Sequence, residues 1–188
     1  MIERKIKANL AGPSSDALAK LNKERNVEHK RIILIGAGAS GKDYARKLFQ
    51  DRNFSFGITC TTRPKRNGEL NGEDYFFISD NEFKRMIKDE EFYEWTTFKG
   101  GEWYYGTLVS EFYTKDIFMM TPSGVDKIRD IDRERSFIIY FDIAESVRKN
   151  RLYQRLGMAD SVERRLKTDR EDFIDFVNYD IKIMNENF

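Results

Sequence analysis

Hydrophobic and polar positions fall in blocks along this chain, and the blocks alternate between two periodicities. The β-branched run Ile32-Ile33-Leu34-Ile35 predicts a buried strand, and Tyr44-Ala45-Arg46-Lys47-Leu48, behind a glycine-rich stretch, predicts a helix over 42–51. A second strand is expected near 54–60, followed by a loop rich in Arg, Asn and Gly. The middle is different. Tyr75-Phe76-Phe77-Ile78, Phe92 to Phe98 and Trp103 to Tyr105 read as short aromatic strands around a helix that starts at Ser79, where Ser79 and Glu82 have capping-box spacing. Ile117 to Met120 and Phe137 to Phe141 read as buried strands, each followed by a helical stretch, and Pro122 suits a first helical position. A helix from about Glu145 is interrupted at Gly157, a second begins at about Asp160, and Ile181-Lys182-Ile183-Met184 ends the pattern as a last strand. Strands alternating with helices predict an α/β fold with a mainly parallel sheet, carrying a small mixed sheet as an insert.

Residues 1–29 are polar and charged, with a short helical candidate from Ser14 or Ser15 through Leu18 and Leu21, and are treated as an appendage. Composition narrows the rest. The 188 residues suffice for one well-buried domain. Thirty-three Lys and Arg against 32 Asp and Glu leave a net charge of +1, so the chain lacks the polybasic signature of non-specific nucleic-acid binding, and any anion site must be local. Cys60 is the only cysteine and is expected as buried filler; with no long apolar span, a reducing, cytoplasmic compartment and no membrane association are expected. His29 is the only histidine, which argues against a His-based triad or a histidine-rich zinc site.

The candidate chemistry begins at Gly36-Ala37-Gly38-Ala39-Ser40-Gly41-Lys42-Asp43. This fits the phosphate-loop pattern GxxxxGK[ST] in every fixed position except the last, and it lies between the predicted strand and helix as the motif requires. Glycines let successive N–H groups face one anionic point beside a helix N-terminus, and Lys42 adds a mobile cation, so a nucleoside triphosphate is the expected ligand. A glycine-rich turn that binds nothing is the competing reading. Further on, Thr61-Thr62-Arg63-Pro64-Lys65-Arg66-Asn67-Gly68-Glu69 runs into Asn71-Gly72-Glu73-Asp74-Tyr75-Phe76-Phe77. Two arginines three apart, beside tyrosines, suit bidentate capture of a phosphate dianion.

These residues, with Glu91-Phe92-Tyr93-Glu94-Trp95 and Tyr104-Tyr105-Gly106-Thr107, closely resemble the guanylate kinase family over about residues 31–185. The resemblance implies a P-loop NTPase-type parallel sheet core (30–60, 108–142 and 166–188), an acceptor-binding insert at about 61–107 and a helical lid at about 143–165, together one domain over 30–188. It implies ATP-dependent phosphorylation of a nucleoside monophosphate, GMP or dGMP foremost, with Mg²⁺. Arg63, Arg66, Tyr75 and Tyr105 would hold the acceptor phosphate. Glu94 would read guanine, whose adjacent N–H donors a carboxylate accepts, and Thr59 and Thr107 would lie near the base or serve only as strand threonines. Arg151, Arg155 and Arg165 would reach the transferring phosphoryl group from the lid, while Arg148, Lys149 and Arg170 are expected to face solvent. Asn185 matches the asparagine near the final strand.

Three departures accompany the resemblance. Asp43 replaces the hydroxyl residue that would ligate magnesium, and a carboxylate can ligate the same hard cation. Met119 and Thr121 replace two aspartates, which opens the acceptor to a related nucleotide or deoxynucleotide. The chain stops at Phe188, where the family adds a helix, so less complete cover of sheet or lid is expected. The other class of function to weigh is a guanylate-kinase-like binding module without turnover, which would keep the acceptor cleft and lose the phosphate loop.

Overall fold

Ile33, Leu34 and Ile35 are wholly buried because they form the middle of β1 (Arg31–Gly36) in a parallel sheet, whose strands read as continuous apolar runs. The computed structural model describes residues 31–98, 101–156 and 162–187. The expected helix at Ser14 to Leu21, His29, and the break at Gly157 with the helix start at Asp160 lie outside them. The described residues divide into two compact units, 56–116 being one and 31–55 with 117–187 the other.

In the second of these, four strands run in the order β6 (Ile117–Met119), β1, β7 (Ser136–Phe141), β8 (Ile181–Ile183), all parallel. β1 has β6 on one side and β7 on the other, so the chain reverses its direction of winding there. In such sheets the crevice beyond the carboxyl end of the switch-point strand is where ligands bind. That end of β1 leads into residues 37–41 and then α1 (Lys42–Gln50). The later helices are α4 (Pro122–Val125), α5 (Asp130–Arg133), α6 (Glu145–Leu156) and α7 (Val162–Phe173). Pro122 takes a first-turn position, as its missing N–H and fixed φ favour.

The 56–116 unit holds the mixed sheet, β3 (Phe76–Phe77), β2 (Cys60–Thr61), β5 (Trp103–Leu108), β4 (Phe92–Phe98), with α2 (Asp80–Lys88) and α3 (Val109–Thr114). β2 and β3 are parallel, the other pairs antiparallel. One sheet face packs on α2: Cys60, Phe76 and Leu108 bury against Phe83 and Met86, and Phe83 stacks on Phe92 with centroids 4.3 Å apart. Cys60 is the buried filler its setting predicts, and burial, with Glu111 and Glu91 nearby, pushes its thiol far above the usual range.

Two sequence expectations are corrected here. The strand expected near 54–60 shortens to Cys60–Thr61, because the Ile58 N–H donates to the Glu111 carboxylate (2.9 Å) and not to a neighbouring strand, so the ladder starts later. At α2 the Ser79 hydroxyl does accept the Glu82 N–H (3.2 Å), but the Glu82 carboxylate turns to Arg85 at 3.0 Å, where a charge-assisted pair outcompetes the return half of the capping box.

Candidate active site

The phosphate loop is shaped by what its backbone must approach. A Cβ at Gly36 would lie 2.7 Å from the Phe141 carbonyl oxygen and 2.8 Å from the Ser40 hydroxyl, so only glycine fits where β1 meets β7. Gly41, the N-cap of α1, has φ 99°, a left-handed conformation that glycine adopts without steric cost. Ala39 also stands left-handed, at φ 60°, which costs a non-glycine residue about 1–2 kcal/mol. Neighbours compensate: Ala39 packs on the buried cluster Leu152, Val162 and Leu166, and its carbonyl accepts from Arg151 at 3.2 Å. Ser40 is fully buried, and Ala37 nearly so.

The Lys42 ammonium lies within this loop, donating to the Gly36 and Ala37 carbonyls, the latter at 2.9 Å, with the Ser40 hydroxyl at 3.4 Å. It is thereby anchored over the same turn whose N–H groups would cradle phosphate. Asp43 is exposed in the first turn of α1, where its negative charge suits the helix dipole. Among the described residues, no three His, Cys, Asp or Glu side chains converge as a metal cluster.

Of the three arginines expected in a lid, Arg151 is brought to the loop, its second guanidinium nitrogen donating to the Glu186 carbonyl at 2.8 Å. Arg165 stands half-buried on α7, and Arg155 belongs to α6 with its side chain outside the described residues. Asn185 is exposed and accepts the Asn187 N–H at 2.9 Å, a local turn one residue from Arg151's partner. Thr121 caps α4, accepting the Gly124 N–H at 3.1 Å, a task an aspartate would perform equally well.

Arg148, expected to face solvent, is a correction: it is 7% exposed. Its guanidinium donates to Asp169 Oδ2 at 2.8 Å, to the Ile143 carbonyl at 3.0 Å and to the Gly38 carbonyl at 3.4 Å. Asp169 Oδ2 also accepts the Gly38 N–H at 3.1 Å. Sequence reasoning missed both residues, since each lies in a run of charges where most members are solvated. The cue that existed is Leu152, four residues after Arg148 and therefore on the same, inward, helix face. Arg170, by contrast, is exposed as expected and pairs with Glu145.

In the other unit, a β-bulge aims the key carboxylate. Phe92 pairs with Leu108 but Glu94 with Thr107, so β4 carries one extra residue, Tyr93, against β5. Phe92 packs on the α2 side; simple alternation would send Glu94 to that side too. The bulge re-aims it to the opposite face, which it shares with Thr107 and, two residues back along β5, Tyr105. Glu94 is 7% exposed and accepts the Thr107 hydroxyl at 2.6 Å. Thr107 is thus more than a strand threonine.

Arg63 is also buried, its guanidinium 5.3 Å from the Tyr75 ring centroid and 5.7 Å from that of Phe77. Tyr75 in turn meets Tyr105 edge to face at 6.1 Å. Glu69, quoted in the motif but assigned no role, organises the group. Its Oε1 accepts from Arg63 at 2.7 Å and its Oε2 from the Arg66 N–H at 2.7 Å. Partial burial alone would raise the Glu69 carboxyl, but these two donors hold it below the usual carboxylate range. Arg66 itself is exposed, and Thr59 is half-buried, its carbonyl taken by the Phe76 N–H at 3.0 Å.

Comparisons with known proteins bear on the family and the fold. A sequence model of the family described as guanylate kinase matches residues 28–188. The guanylate kinase of Bacillus subtilis (strain 168) is 33% identical over 166 residues, 83% of this chain and 80% of the relative. That of Malacoplasma penetrans (strain HF-2) is 30% identical over 178 residues, 87% and 89% of the two chains. In fold, the crystal structure of guanylate kinase from Anaplasma phagocytophilum superposes with a TM-score of 0.61 at 23% identity, covering 85% of this chain and 78% of that one. With the parallel core, the second mixed sheet and the family match over most of its length, the chain belongs to the guanylate kinase family of nucleoside monophosphate kinases.

Proposed function

We propose that this protein transfers the terminal phosphoryl group of ATP to GMP or dGMP. The observation that carries the reading is Glu94, a carboxylate that a β-bulge buries on the face of Tyr105 and Thr107. Guanine offers it two adjacent N–H donors, whereas adenine presents a ring acceptor that would leave the buried charge unpaired. Arg63, Arg66, Tyr75 and Tyr105 are the candidates for the acceptor phosphate, with Glu69 holding the first two in register.

On the donor side, the N–H groups of residues 36–43 and Lys42 are assigned to the triphosphate, and Arg151, Arg155 and Arg165 to the charge that gathers on the transferring group. Asn185 is assigned to the adenine region. Asp43 would hold magnesium, directly or through water, and the cation would supply positive charge to offset the donor phosphates. Without metal the same carboxylate repels phosphate. No protein nucleophile is required, because positioning and charge stabilisation suffice for in-line transfer.

Calorimetric titration tests the reading. The native protein should bind GMP at least tenfold more tightly than AMP, and its ATP affinity should depend on magnesium more steeply than that of Asp43→Ser. Equal binding of GMP and AMP would overturn the role of Glu94, and equal metal dependence in the two proteins would overturn that of Asp43.

A further inference from the structure

Both backbone groups of Gly38, its N–H and its carbonyl, are held by one ion pair that lies outside the residues assigned above. Asp169 on α7 takes the N–H and Arg148 on α6 gives to the carbonyl, while the two side chains bond each other at 2.8 Å. Arg148 is itself fixed by the Ile143 carbonyl and by burial. The next loop residue, Ala39, is held left-handed against Leu152 and Val162 from the same two helices. We propose that the Arg148–Asp169 pair is a positioning clamp for the donor loop: by fixing the Gly38 peptide groups it sets the direction of the following N–H groups, so donor affinity depends on the pair.

This rests on the reading that the loop takes the triphosphate. The competing idea is that Asp169 is a resident anion that the nucleotide must displace. Two observations favour the clamp. The carboxylate is neutralised by Arg148 at hydrogen-bond distance, and the pair also engages the Gly38 carbonyl, which an anionic ligand would never occupy. An ion pair that secures both a donor and an acceptor of one residue restrains its orientation. A loop restrained in its binding shape loses less entropy when the ligand arrives.

The test uses the full chain and the variants Asp169→Ala, Asp169→Asn, Arg148→Ala and the double alanine. Amide hydrogen exchange is followed in peptides covering residues 36–43, and ATP with magnesium, and separately GMP, are titrated into each protein; thermal melting verifies folding. Each single alanine variant should speed exchange in the loop and weaken ATP binding by about 10- to 100-fold, the loss expected for a charge-assisted hydrogen bond. The double variant should be no worse than the poorer single one, because the pair acts as a unit. Asp169→Asn, which keeps an acceptor for the Gly38 N–H without the charge, should fall between native and alanine, and carries the test if an alanine variant fails to fold. GMP affinity should stay within about twofold, which a general loss of structure would not allow. Unchanged loop exchange in a folded Asp169→Ala, tighter ATP binding, or additive losses in the double variant would each overturn the clamp. If the native protein bound no ATP, the donor reading would fall and the exchange arm alone would decide the clamp.

Discussion

Glu94 and Glu111 are buried carboxylates of the same unit, 7% and 5% exposed, with opposite consequences. Glu94 is satisfied by a neighbouring hydroxyl on a face suited to a ligand. Glu111 accepts the Ile58 N–H, yet burial pushes its carboxyl above the usual range, the hydrogen bond and Lys115 only partly offsetting this. A carboxyl whose folded pKa is raised favours folding below its unfolded value near 4.3, and that contribution is lost as pH rises through the folded value. At neutral pH Glu111 therefore costs stability that it does not cost in acid. Glu111→Gln, which can still accept the Ile58 N–H, should melt at a higher temperature than native at pH 7, and the difference should shrink towards pH 4; equal melting at both would contradict the assignment. At this scale the sequence showed residues whose meaning is local, such as Gly41 and Lys42 in their motif. Arg148 and Asp169 were not legible, because their importance lies in meeting each other from two charged helices, 21 positions apart in sequence.

The elements followed from periodicity where packing reinforced it. β1, β7 and α2 match their expected runs because apolar spacing and burial agree. The bulge at Tyr93 was hidden, since an aromatic strand with one extra residue has the same composition as one without, and only the register against β5 reveals it. The short β2 was hidden for a similar reason, a side chain taking a backbone donor that a strand would otherwise use. The mixed sheet owes its hold on α2 to Phe83, wholly buried between Phe92 and Tyr104, with centroids 4.3 and 5.2 Å away. Phe83→Ala should cost about 3–5 kcal/mol of stability, the usual loss for emptying such a site. Denaturant unfolding measures it, and a loss below about 1 kcal/mol would show that the sheet does not depend on this contact.

For the whole molecule, near-zero net charge coexists with local pairing: Asp169 meets Arg148 at the loop and Glu69 meets Arg63 in the acceptor motif. No described helix is long and apolar enough to cross a membrane. The fold class was legible because three separated motifs and the strand-helix alternation constrain one another. The substitutions at Asp43 and Thr121 were legible as differences only; the structure adds that Thr121 still caps its helix, so its departure leaves local order intact. The account therefore turns on guanine recognition by Glu94 in a working kinase. The most direct measurement is turnover of native protein with ATP and magnesium against GMP, dGMP, AMP, UMP, CMP and dTMP in a coupled diphosphate assay. GMP or dGMP should be phosphorylated with a kcat/KM at least about 100-fold above AMP, as an unpaired buried charge would impose. Preference for AMP, or no turnover with any acceptor by a folded protein that binds nucleotide, would contradict it.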